Sequence, residues 1–398
     1  MQRSGNLLAL DMLRGAAALY VAAFHCVDYL TDSGRQFHES RGMARMIRSG
    51  NVLGLLGFGH YAVLAFFILS GFVIHLRQAQ RPDERVERGN LSWTANYGWR
   101  RAMRIYPPLL GAILLTAVLA SLGARLFPDL YGQTLAHPTG GDLMSHAGTL
   151  KEVRGVLVPV PGATTFGVNR ALWSVGFELW FYVAYIPIVL VVLGRLRQRM
   201  VTVLLASAAF AGALFLVLSH APSLIPPRIG GLATIAIYFP AWVAGGWIAD
   251  LYAAGVKVRF RRQAIAAAGL VLLLAATRSD NVTRPQVDVL WCIGIAALIA
   301  VATLGPDMAW CSGRAGRRVA STAIWSYSLY LVHLPVIMFA YGVFGAGTRP
   351  VSNPVIVVLI FLSAVIAGIG FYIVVERPSM WLMTHPPRAL VRLGRTPA

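Results

Sequence analysis

The sequence predicts an all-α polytopic membrane protein, a bundle of about ten transmembrane helices. Three observations carry this. Of 398 residues, 57% are hydrophobic and 13% charged, where a soluble domain is about a quarter charged. The apolar residues come in blocks of membrane-crossing length, separated by short arginine-rich links. The net charge of +19 falls in those links, as expected for loops that orient a membrane protein. No basic patch is interleaved with exposed aromatics, so nucleic acid is excluded as a partner.

Taken in order, the expected spans are 7–29, 52–76, 105–124, 172–194, 200–219, 230–250, 264–277, 287–304, 319–341 and 354–375. The first is read as a retained span, because it lacks a clear cleavage site. The seventh is the shortest. Gly and Pro inside several spans are compatible with membrane helices whose neighbours satisfy the backbone. With the N terminus in the cytoplasm, 22 of the 35 Lys and Arg fall in inner segments and 12 in outer ones, Arg14 lying within a span. That bias places both termini in the cytoplasm. The outer segment 31–51 is basic for its side and could meet an anionic substrate. Residues 125–171 form the longest outer connection, either a cover for a site or a plain connector. Residues 1–376 are read as one membrane domain and 377–398 as a short basic tail. The cysteines Cys26, Cys292 and Cys311 lack metal-site spacing and read as packed residues, and no metal is expected.

The spans carry polar residues that lipid would not tolerate. Asp11, Arg14 and His25 fall within about 60° of one direction on a helix. Arg14 and His25 are about 16 Å apart along the axis. An intramembrane ionisable group marks either a structural pair or a functional site, and histidine is the natural general base near neutral pH. In LWSVGFELWFY (172–182), Glu178 lies about two turns inside the boundary, at the expected depth of His25, which it could orient and polarise. Trp173 reads as an interface aromatic, and Ser174 as a polar, substrate-facing neighbour. On the inner side, Arg100, Arg101 and Arg104 precede Ile105-Tyr106-Pro107-Pro108. Such a cluster serves orientation or clamps phosphates. In FFILSGF (66–72), Gly71 allows close backbone approach, and Ser70 is a helix hydroxyl rather than a nucleophile. The ninth span, WSYSLYLVHLP, is polar through Ser326, Tyr327, Tyr330 and His333.

These stretches together resemble the acyltransferase-3 family of integral-membrane acyltransferases, which includes O-antigen and exopolysaccharide O-acetylases. The matching pieces are LDMLRG at 10–15 with His25 following, FFILSG at 66–71, and RRAMRIYP at 100–107. LWSVGFE at 172–178, YSLYLVH at 327–333 and ERP at 376–378 complete the set. The resemblance implies about ten helices and transfer of an acyl group, usually acetyl, from acyl-CoA to a hydroxyl of a carbohydrate or similar acceptor. It makes His25 the motif histidine and Arg14 the motif arginine. Where the family usually has two adjacent glutamates, this chain has Glu178 followed by Leu179, so Glu178 is the working carboxylate.

On this reading His25 is the base, Glu178 steadies its imidazolium, and Arg14, Arg100, Arg101 and Arg104 hold the phosphates of acyl-CoA. Asp11, Ser70, Trp173, Ser174, Tyr330 and His333 are structural or face substrate. Acyl-CoA is a donor substrate, and no tightly bound cofactor is expected. The expected partners are acyl-CoA, a carbohydrate or glycolipid acceptor and the lipid bilayer, with a homo-oligomer an open possibility. Direct transfer and an acyl-histidine intermediate both remain open. The competing readings are a small-molecule acceptor such as an antibiotic sugar, and a transporter of an anionic substrate.

Overall fold

The computed structural model describes residues 5–30, 58–84, 89–131, 150–158, 165–196, 198–220, 227–278, 284–306, 308–344, 351 and 353–385. The basic stretch 31–51, much of the 125–171 connection and the end of the expected tail lie outside the described residues. Ten principal helices run in chain order: α1 Gly5–Leu30, α2 Gly59–Gln80, α3 Asn90–Leu126, α4 Trp173–Pro187, α5 Met200–His220, α6 Pro227–Ala253, α7 Arg261–Arg278, α8 Arg284–Leu304, α9 Ser326–Val343 and α10 Pro354–Phe371. No strand occurs among the described residues; Phe166 and Asn169 form one isolated bridge. The chain is an all-α, multi-pass membrane protein.

Nine helices among the described residues are long and apolar enough to cross a membrane. The expected seventh span exists as α7, but Arg261, Arg262 and Arg278 bound its apolar stretch. That stretch is about 22 Å long, short of the roughly 30 Å hydrocarbon core. It nonetheless packs on α8. Gly294 sits against Leu272 and Gly305 near Arg261, an antiparallel register. The ninth span starts later than expected. Residues Arg314–Ala320 and Ser321–Ile324 form short helices, and α9 begins only at Ser326.

Two glycines set a close crossing. A Cβ on Gly71 would overlap the Trp242 carbonyl, and one on Gly245 would overlap the Ile68 carbonyl. The α2 and α6 backbones therefore touch, as small residues permit in membranes where apolar burial alone drives little association. Asn6 fastens the start of α1 to the end of α8. Its Nδ2 donates to the carbonyls of Thr303 (3.0 Å) and Gly305 (3.1 Å), and its Oδ1 accepts from the Met308 N–H (3.0 Å). These bonds satisfy carbonyls orphaned at a helix C-terminus.

Prolines shape the helices around the site. Pro335 has no N–H, so the Leu331 carbonyl one turn earlier loses its helical donor. Asn169 Nδ2 fills that place at 2.8 Å and also donates to Thr116 Oγ1 at 3.2 Å. The segment before α4 is thus pinned inside the bundle, with Asn169 fully buried. α10 widens into a π-helical turn, Tyr372–Glu376, just before Arg377-Pro378. Such widened turns frequently mark functional sites, and here the turn delivers Glu376.

Candidate active site

α1 and α9 run side by side in the same direction. Gly15 of α1 meets Thr322 just before α9, and the His25 ring stacks on the His333 ring, with centroids 5.2 Å apart and planes 24° from parallel. Two polar levels result, one at Arg14 and one at His25, about 16 Å apart along the helices.

At the His25 level, His333 is fully buried. Its Nδ1 lies 2.8 Å from the Tyr330 carbonyl and 3.2 Å from that of Leu329. A carbonyl only accepts, so Nδ1 carries the proton and Nε2 presents a lone pair. That Nε2 is buried and has no hydrogen-bond partner among the described residues. One turn away, the Tyr330 hydroxyl donates to the Ala171 carbonyl (2.9 Å) and hence accepts from Ser174 Oγ (2.7 Å). Phe66 packs edge-on against the Tyr330 ring. The expected substrate-facing residues Ser174, Tyr330 and His333 are therefore neighbours, and His333 stands beside His25.

At the Arg14 level lies a charged cluster. Arg14 feels the charges of Arg104, Glu178 and Glu376 and the Tyr182 phenol. Arg104 pairs with Glu376 and lies over the Tyr327 ring, 5.2 Å from its centroid. Glu376 is fully buried. Its second oxygen accepts from the Ser328 N–H (3.1 Å) and hydroxyl (2.5 Å), so the ERP glutamate also caps α9. Arg101 is held between two phenol rings, 5.7 Å from the Tyr97 centroid and 5.5 Å from that of Tyr182, and its Nε is buried without a hydrogen bond. Among the described residues, carboxylates pair with Arg104 but not with Arg14 or Arg101. Two half-buried guanidiniums thus have no carboxylate within ion-pair distance, an arrangement a phosphate would complete. Arg100 and Asp11 are half-buried on α3 and α1, each with an interaction of its own.

Glu178 belongs to this level, not to that of His25. Its Oε1 accepts from Ser70 Oγ (2.9 Å) and from the Tyr182 hydroxyl, and Trp242 Nε1 donates to Ser70 at 3.4 Å. Gly59, at the start of α2, packs on Phe24 of α1, and the Phe58 N–H donates to the Tyr20 hydroxyl (3.1 Å). Ser70 lies eleven residues further along α2, about 16 Å toward the Arg14 level. Counting turns from Leu172 misjudges this depth, because Asn169 and Ala171 have already drawn the chain into the bundle before α4 begins. Ser70 is accordingly a hydrogen-bond donor to a carboxylate.

Sequence reading missed the roles of Asn169, Tyr182, Trp242 and Ser328. Only Asn169 had a visible signal, the interior Pro335, which leaves a carbonyl in need of a donor.

An acyltransferase-domain model of the acyltransferase-3 family matches residues 7–373. The acyltransferase MdmB of Streptomyces mycarofaciens is 26% identical over 399 residues, spanning 95% of this chain and 92% of that protein. No solved structure matches the chain.

Proposed function

Because the chain belongs to the acyltransferase-3 family, an acyltransferase embedded in the membrane, we propose that it moves an acyl group, acetyl by preference, from acyl-CoA to a hydroxyl of a cell-surface carbohydrate. We place it in the bacterial inner membrane with both termini in the cytoplasm. The observation that carries this reading is the pair of polar levels along α1: guanidiniums at Arg14 of α1 and Arg101 of α3 that have no carboxylate ion pair among the described residues, and the stacked imidazoles of α1 and α9 about 16 Å further on.

Arg14 and Arg101 bind the donor's phosphates, with Arg104 held beside them by Glu376. The pantetheine arm then spans the distance to the imidazoles. His25 takes the proton from the acceptor hydroxyl as its oxygen attacks the thioester carbonyl. The C–S bond breaks, and the departing thiolate recovers that proton from His25, leaving the ester and free CoA. His333, its Nδ1 proton fixed on backbone carbonyls, keeps Nε2 available to accept a hydrogen bond that orients the acceptor. Glu178 is a positioning residue at the donor end, offsetting the Arg14 charge across the cluster and fixing Tyr182 against Arg101.

The test is thiol release from acetyl-CoA by purified, folded protein in nanodiscs, with labelled acetyl followed into membrane glycan as a base-labile ester. Label in the glycan is the expected result. Folded protein that leaves the thioester intact in the presence of that glycan would sink the proposal and favour transport.

A further inference from the structure

A second polar cluster lies where α2, α4, α6 and α8 meet, near the His25 level. Asp288 of α8 is 2% exposed. Its Oδ2 accepts from the Tyr238 hydroxyl (2.6 Å) and lies 3.2 Å from His60 Nε2. Its Oδ1 is buried and has no hydrogen-bond partner among the described residues. One turn along α8, the Trp291 indole Nε1 is likewise buried without an acceptor among the described residues. Aromatic faces join the two. Trp291 stacks on Tyr61 (4.3 Å, 14°), Tyr61 adjoins His60 (5.5 Å), and His60 stacks on Trp173 (6.0 Å, 17°). Trp173 immediately precedes Ser174, which bonds Tyr330, and the Tyr330 ring adjoins that of His333 (5.7 Å), which links the cluster to the imidazole pair.

An acceptor-only oxygen and a donor-only indole N–H, both buried and unused, each carry a desolvation cost. A hydroxyl that donated to the carboxylate and accepted from the indole would relieve both. A ring bearing several hydroxyls also presents C–H faces that pack on aromatic side chains.

We propose that Asp288, Trp291, His60 and Trp173 form the subsite that grips the acceptor, a pyranose-type polyol, through a hydroxyl other than the one acylated. This rests on the reading of the chain as an O-acyltransferase with a hydroxylated acceptor. Asp288 Oδ1 takes the hydroxyl's hydrogen, Trp291 donates to its oxygen, and Trp173 covers one face of the ring.

The experiment uses the full chain in nanodiscs and saturation-transfer NMR. The probes are methyl α-D-glucopyranoside, methyl β-D-galactopyranoside, methyl α-L-rhamnopyranoside and, as a cation, choline. At least one glycoside is expected to bind saturably. Asp288→Asn should weaken it about tenfold or more, since a hydrogen bond to a charge is lost. Trp291→Phe, which keeps the ring, should weaken it about threefold or more, and it decides the matter if the Asp288 variant fails to fold. Saturable binding of choline alone, of no glycoside, or equally by wild type and both variants would overturn the subsite. Acetyl-CoA is titrated in the same preparations. Wild-type protein that binds a glycoside but not acetyl-CoA faults the donor reading and leaves this subsite standing. Folded variants that lose both ligands together would show that no separate subsite exists.

Discussion

At the scale of single residues, the chemistry divides between His25 and the guanidiniums. His25→Ala is expected to give folded, inserted protein that still binds acyl-CoA but transfers about a hundred- to ten-thousand-fold more slowly. Transfer rates normalised to folded protein, paired with donor binding, check this; turnover within about threefold of wild type would rule His25 out as the base. The unpartnered Nε2 of His333 would then be the next candidate. Arg101 offers the cleaner test of the donor site. It has no carboxylate partner among the described residues, so Arg101→Ala should raise the KM for acyl-CoA more than it lowers kcat, as lost uniform binding does. An unchanged donor KM would remove Arg101 from the phosphate site. Arg104→Ala is a different experiment, because it strands the buried Glu376 carboxylate. Its expected mark is a stability loss of about 3–5 kcal/mol, read as a lower midpoint in thermal melts of detergent-solubilised protein.

At the scale of elements, helix contacts depend on a few backbone facts. Gly71 and Gly245 let α2 and α6 touch, so Gly71→Val should force them apart and destabilise the protein by about 1–3 kcal/mol. An unchanged melting midpoint would mean the crossing relaxes freely. The Asn169–Leu331 bond makes a sharper case. Asn169→Ala leaves the Leu331 carbonyl buried without a donor, at a cost of about 1–3 kcal/mol. Pro335→Ala restores an N–H that can reach that carbonyl within α9. The double variant should therefore lose less than the two single losses combined, in a thermal-stability cycle. Simple additivity would show that the proline and the asparagine are not coupled.

At the scale of the whole molecule, the charge bias predicts residues 77–104 and 251–263 in the cytoplasm and 125–171 outside. Single-cysteine labelling in intact cells, after removal of Cys26, Cys292 and Cys311, checks it. Position 90 should resist an impermeant reagent, and strong labelling there would invert the map. The same bundle places the arginine level and the imidazole level at different depths, so that map also decides which end receives donor from the cytoplasm.

Much of this was legible in the chain, for a physical reason. Lipid hydrogen-bonds nothing, so each span must be a helix and its length and hydropathy stand plainly in the sequence. Polar residues in such spans must turn inward, so Arg14, His25, Glu178 and His333 were visible as site candidates one by one. Their partnerships were not. Stacking of His25 on His333, capping of α9 by Glu376 and the bond from Ser70 to Glu178 join residues 48 to 308 positions apart. Nothing local encodes which helix faces which. Depth was also hidden, because the chain ahead of α4 is drawn into the bundle by Asn169, and only the tertiary structure sets the level from which Glu178 is counted. The sequence by itself determined the helices and the inventory of polar groups. Helix packing decided that the inventory splits into an arginine level and an imidazole level, because side chains at one depth meet only when their backbones are brought together.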